Sequence, residues 1–150
     1  MTESTTTINA CDASLWLDNA AGTLTDISGS SNNLTMAITN GVGDRRVFGS
    51  KGPIRKVCGQ DVQFDIVVLY STAEDEGLDL LRDWALGANY KDARSFVLYL
   101  PDKNVGSDKY SCEVVQESLS IPADPGEPAA IEVSATLLIT GELSYTKAAT

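Results

Sequence analysis

The segment DVQFDIVVLY (residues 61–70) alternates so regularly that it decides the class of fold. Val62, Phe64, Ile66, Val68 and Tyr70 share one parity, and Asp61, Gln63 and Asp65 share the other. Successive side chains of an extended strand point to opposite faces, so this period marks a half-buried β-strand. Val67 and Leu69 turn the polar parity apolar at its end, and that end requires a cover. The same period recurs in LTMAIT (34–39), with Leu34, Met36 and Ile38 on one face, and in SFVLYL (95–100). KYSCEVVQESLSI (109–121) sets Tyr110, Cys112 and Val114 against Glu113, Val115 and Glu117. The last long strand lies within residues 129–145, with Ile131, Val133, Ala135, Leu137 and Ile139 as its core face. ASLWLD and TLTDIS flank the turn NAAG and form a hairpin signal. Trp16 faces opposite Leu15 and Leu17 there, which suits an exposed anchor, an interface residue or the core of a second layer.

One segment keeps a different period. In TAEDEGLDLLRDWAL (72–86), Leu78, Leu81 and Ala85 repeat at helical spacing, and Leu80 and Trp84 broaden the stripe. Ser71 with Glu74 makes a capping box, the acidic first turn suits the positive end of the helix dipole, and Gly87 is a stop. The expectation is a helix over about 72–86 that packs on a sheet through Leu78, Leu81, Trp84 and Ala85. The fold class is therefore mainly β (α+β), with about seven strands and one helix. A length of 150 residues suits one domain. We place it at residues 11–145, between a flexible N-terminal arm (1–10) and a short C-terminal tail (146–150).

Charge is unevenly placed. The stretch NGVGDRRVFGSKGPIRKVCGQ (40–60) holds Arg45, Arg46, Lys51, Arg55 and Lys56, five of the eleven cations in the chain. With Asp44 it sums to +4, which leaves −14 for the remainder of a chain whose total is −10. Its glycines and Pro53 argue against a helix or a central strand, so a long loop is expected over 40–60. Its spaced glycines precede no helix pattern and make no phosphate cradle. A basic arm beside an acidic body suits charge-complementary self-association, and a solvated loop equally.

The chain contains no histidine, which removes the commonest general base, the usual nucleophilic triads and His-containing zinc sites. DKNVGSDKY lacks the acidic twelfth position of a calcium loop. No catalysis, cofactor or metal is expected. Cys11, Cys58 and Cys112 show no metal or redox spacing and read as free thiols of a protein made in a reducing cytoplasm, Cys112 in the core. No signal-peptide pattern opens the chain, and no apolar run reaches the ~18 residues of a membrane span. An acidic surface disfavours binding to nucleic acid through phosphate neutralisation.

The order of these features resembles the major tail (tail tube) proteins of long-tailed, non-contractile bacteriophages. TDISGSSNNLTMAIT (25–39) is similar to the family's early strand-turn-strand. Residues 40–60 occupy the place of its long mobile loop, QDVQFDIVVLYS that of the next strand, residues 72–86 that of its single helix, and 128–145 that of its closing strand. The resemblance implies an antiparallel β-sandwich or half-barrel flanked by one helix. It also implies six copies per ring, stacked rings and a lumen that conducts DNA into the host. Partners would be further copies and tape-measure, tail-tip and tail-terminator proteins, in a virion tail assembled in the host bacterial cytoplasm. Inter-ring contacts would fall to Arg45, Arg46, Phe48, Lys51, Arg55 and Lys56. A conduit that must not hold DNA suits acidic and hydroxyl side chains, which makes Asp61, Gln63, Asp65, Glu132, Ser134 and Thr136 the lumen candidates. Three other readings stay open: a tail terminator, a secretion-type tube subunit, and a carbohydrate- or host-binding β-sandwich.

Overall fold

The period-two pattern becomes the two faces of one antiparallel sheet. The computed structural model describes residues 12–123 and 131–149. Among them seven strands run in the order β2-β1-β5-β6-β7-β4-β3. They are β1 (Ser14–Asp18), β2 (Leu24–Asp26), β3 (Ser31–Arg45), β4 (Ile54–Leu69), β5 (Arg94–Leu100), β6 (Asp108–Ser120) and β7 (Glu132–Lys147). One helix, α1 (Gly77–Leu86), joins β4 to β5. Every pairing is antiparallel. Residues 1–11, 124–130 and 150, which include the expected N-terminal arm, Cys11 and most of PADPGEP, lie outside the described residues.

The apolar parities converge. Val62, Phe64, Ile66 and Val68 of β4 are buried with Val133, Ala135 and Leu137 of β7, Val114 of β6, Phe96 and Leu98 of β5, and Leu15 and Leu17 of β1. Phe64 and Phe96 stand on strands three spacings apart, roughly 14 Å across a flat sheet. Their ring centroids are 4.7 Å apart. The sheet therefore curls into an open half-barrel around its apolar face.

Helix α1 plugs this trough. Leu78, Leu80, Leu81 and Trp84 are buried, and Ala85 is half-buried. Trp84 Nε1 donates to the Asp92 carbonyl at 3.0 Å, and the Arg94 guanidinium lies 4.9 Å above the indole ring. Burial lowers the pKa of Arg94, against the opposing pull of Asp18, Asp83 and Asp92.

The sequence expectations need correction at four places. The helix begins at Gly77, not at residue 72, because Asp75 takes a positive φ of 59° and breaks the earlier turn. Ser71 Oγ accepts instead from Ala73 N at 3.1 Å. The first turn is capped from a distance: Ser30 Oγ accepts from Gly77 N at 2.9 Å. The expected tail from 146 is instead the end of β7, which runs to Lys147, and Ala148 is buried with its N–H donating to the Ser107 carbonyl at 2.8 Å. Tyr70 and Ile131, assigned to core faces, are exposed where β4 and β7 begin to part. Finally, residues 40–60 are not one long loop.

Candidate functional site

Strands β3 and β4 run on past the core as a two-stranded ribbon. Their pairing continues from Asn40↔Gln60 to Arg45↔Ile54, so only residues 46–53 form a loop. The composition of 40–60 argued against a central strand, and the structure respects that, since β3 is the edge strand of the sheet. A bulge reconciles the glycines with pairing. Between Asn40↔Gln60 and Val42↔Val57 strand β4 spends one extra residue, and Gly59 takes a φ of 80°. Opposite, Gly41 lies so close to β4 that a Cβ there would sit 2.5 Å from the Cys58 carbonyl oxygen.

All six residues assigned to the arm are on this ribbon or its tip, and all are exposed. Arg45 ends β3, Arg46 follows it, Phe48 and Lys51 lie in the loop, and Arg55 and Lys56 open β4. The register puts Arg45, Ile54 and Lys56 on one face of the ribbon and Val42, Asp44, Arg55 and Val57 on the other. The cations thus serve two surfaces rather than one patch. Among the described residues the ion pairs are Arg82–Asp79 and Lys147–Asp108, so none of the five arm cations is paired with another described residue. Apolar side chains accompany them: Ile38, Val42, Val47, Ile54 and Val57 are exposed, and Phe48 is fully so. The sequence reading named only Phe48 of this apolar component, because the glycines and the bulge in β4 break up the alternation there.

The six lumen candidates also come together. Asp65 pairs with Thr136, Val67 with Ser134 and Leu69 with Glu132 across β4 and β7, which places Asp61, Gln63, Asp65, Glu132, Ser134 and Thr136 on the face opposite the core. Asp65 Oδ1 accepts from Gln63 Nε2 at 3.0 Å and from Thr136 Oγ1 at 3.1 Å. Glu132 Oε1 accepts from Asn32 Nδ2 at 2.7 Å. Thr35 and Thr39 of β3 and Ser118 and Ser120 of β6 extend the same face by register. Across β3, β4, β7 and the end of β6 this face therefore presents carboxylates, amides and hydroxyls, interrupted by Ala37, Val67, Leu69, Val115 and Leu138.

Other sequence candidates have local roles. Trp16 is half-buried, its Nε1 donates to Ser14 Oγ at 2.7 Å, and Lys103 Nζ lies 4.0 Å above its ring. Cys112 packs against the core and its thiol pKa is pushed up to about 11 by burial, whereas Cys58 is exposed on the arm. Among the described residues no group of three or more Asp, Glu or Cys side chains is arranged to hold a metal ion.

No protein-family model matches the chain, and no curated protein matches it in sequence. Solved structures do match its shape. The tail of an empty GTA (gene transfer agent) particle, refined with C6 symmetry, superposes with a TM-score of 0.70 over 92% of this chain and 98% of that one, at 15% identity. The fold is that of tail-tube proteins. A chain of the six-fold symmetrised anti-feeding prophage baseplate gives a TM-score of 0.71 at 11% identity, covering 97% of each chain. The SPP1 tail tube gives 0.65 at 16% identity, over 96% of this chain and 80% of that one. The tail-tube fold is thus shared with contractile injection systems, since the tube–sheath complex of one such extracellular system also superposes, with a TM-score of 0.68 at 12% identity.

Proposed function

We propose that the chain is a structural, non-catalytic subunit of a bacteriophage tail tube of the non-contractile, long-tailed type. Six copies close a ring, rings stack, and DNA passes through the lumen without specific binding. The observation that carries this reading is the ribbon: a paired, cationic and apolar arm that leaves its own core and finds no ion-pair partner among the described residues. An edge strand as long as β3 also demands a neighbour, because unpaired backbone groups along it template pairing with another chain. A heterologous contact between identical copies closes such edges in a ring. The six-fold symmetry of the GTA tail and of the prophage baseplate supports that ring size.

The polar outer face of β3, β4, β7 and β6 is then the wall of the lumen. Carboxylates repel phosphates, and hydroxyls give DNA no cationic foothold. Cryo-electron microscopy of the assembled protein tests this. Asp61, Asp65, Glu132 and Ser134 should point inward in a six-fold tube, and outward-pointing side chains would remove the lumen assignment. A tube inside a contractile injection system is the second reading, favoured by the equally good superposition on that class. Native particles decide between them, since a bare tube supports the first and a sheathed tube the second.

A further inference from the structure

A cleft of about 480 Å³ opens between the start of β3 and the strands β1 and β5. Leu15, Leu34, Met36, Leu98 and Leu100 give it an apolar floor, and Asn32 stands on its rim. One carboxylate stands beside it. Asp26 accepts from the backbone N–H of Ser28, another lining residue, at 2.9 Å. It forms no ion pair among the described residues.

The arm tip is the chemical complement of this cleft. Phe48 is fully exposed beside Val47, and Arg45 and Arg46, which form no ion pair among the described residues, precede them. A cleft of this size falls within the range of roughly 300–1,000 Å³ that encloses a small ligand, so one phenyl ring and a valine fit together. The tip does not reach the cleft of its own chain. Strand β3 itself holds them apart, because Leu34 and Arg45 are separated by roughly 35 Å of extended backbone at about 3.3 Å per residue.

We infer that the cleft is the socket for the arm tip of a second copy of this chain: Phe48 and Val47 seat on Leu34, Met36, Leu98 and Leu100, and Arg45 and Arg46 meet Asp26. The inference rests on the tube reading and names the surface that the arm engages. Knob and socket sit at different places on β3, so the contact is heterologous. One copy that donates its tip still offers its socket, and the contact propagates instead of closing on a pair. Apolar seating supplies the affinity, and the flanking charges set register.

Cross-linking tests it. Phe48→Cys and Met36→Cys are prepared separately in a Cys58→Ser background, one of them mass-tagged, then mixed, allowed to polymerise and oxidised. Disulfides joining tagged to untagged chains between positions 48 and 36 are expected, with tubes visible by negative stain. A photoactivatable benzoylphenylalanine at position 48 of the otherwise unchanged chain keeps the aromatic bulk, and should attach to residues 28–36 or 95–101 of another copy. Phe48→Ala should raise the critical concentration for tube growth by about ten- to a hundredfold, the usual scale for truncating a buried aromatic anchor. Tubes that form without either cross-link overturn the socket and leave the tube reading intact. A disulfide from Cys11 to the introduced thiol at position 36 within one chain also overturns it, since the cleft then holds its own N-terminal segment. Links between two copies of position 48 alone would replace the socket by tip-to-tip contact. If the unaltered protein forms no tubes at all, the tube reading fails and the socket with it.

Discussion

Strands β3 and β4 each do two different things along one continuous ladder. In the half nearer the helix, Leu34 and Met36 pack against the core, and Val62, Phe64, Ile66 and Val68 are buried in it. In the far half, Val42, Val57 and Ile54 stand in solvent. Backbone pairing is the same in both halves, so hydrogen bonding does not explain the difference. What differs is the third layer. The near half is clasped by α1 and by the curl of the sheet, whereas the far half has only its own partner strand. A two-stranded ribbon is marginal in water. The lesson is that backbone pairing alone buries nothing: the near half belongs to the core, and the far half keeps its side chains open to solvent.

Five changes would break or sharpen that contrast. The largest effect belongs to the clasp. Trp84→Ala removes a fully buried side chain, the cation–π contact of Arg94 and the hydrogen bond to Asp92, and should cost about 3–5 kcal/mol of stability. Chemical denaturation of the unassembled subunit reads this directly, and a loss below about 1 kcal/mol would show that α1 is not the clasp. Reversing Arg45 and Arg46 to Glu should do the opposite. The subunit keeps its denaturation midpoint, since both side chains are exposed and unpaired among the described residues, but polymerisation is lost. Normal tubes from that variant would remove the arm's charge from the assembly contact. Added salt should weaken polymerisation of the unaltered protein only in part, because backbone pairing between copies is not screened.

Gly41→Ala probes the ribbon alone. Its Cβ would collide with the Cys58 carbonyl, and overpacking of this kind costs about 1–3 kcal/mol. Hydrogen exchange should quicken at Val42–Arg45 and Ile54–Val57 and remain slow at Val62–Val68. Equal loss of protection in both halves would mean that the two are one cooperative unit. The smallest effect is at Asp108, whose pKa is lowered by its hydrogen bonds from Lys147 and Tyr145. A carboxylate with a depressed folded pKa stabilises above its ordinary value of 3.8, and that contribution vanishes as pH falls through the folded value. Asp108→Asn should therefore lower the melting temperature slightly at pH 7, and the difference should shrink as the pH falls below 3.8, as suits an exposed pair. A difference that does not shrink as the pH falls would assign the effect to something other than charge.

Much of the contrast was legible in the residues. Alternation sorted Val62, Phe64, Ile66 and Val68 from Asp61, Gln63 and Asp65, and did the same for Val133, Ala135 and Leu137 against Glu132, Ser134 and Thr136. The stripe Leu78, Leu81 and Trp84 marked the helix. Its start was misread because Ser71 and Glu74 form a sound local capping signal that loses to a tertiary one. Gly77 must sit where its Cβ would come within 2.9 Å of Val68, and Ser30, 47 positions away in sequence, takes the free N–H. The extent of the arm was misread because glycines and a proline describe a loop equally well as a bulged edge ribbon.

The sequence by itself determined which side chains face the core and which face away, because a strand's period of two leaves no other choice once the apolar parity is written. It also determined that five cations would stand together against an acidic remainder. Only the tertiary structure decided that those cations ride on a paired ribbon, that the polar sides of β4 and β7 merge into one surface, and that a cleft opens beneath the start of β3. Each of these depends on register and on sheet curl, and both are set by contacts between residues far apart in the chain, which local pattern does not encode.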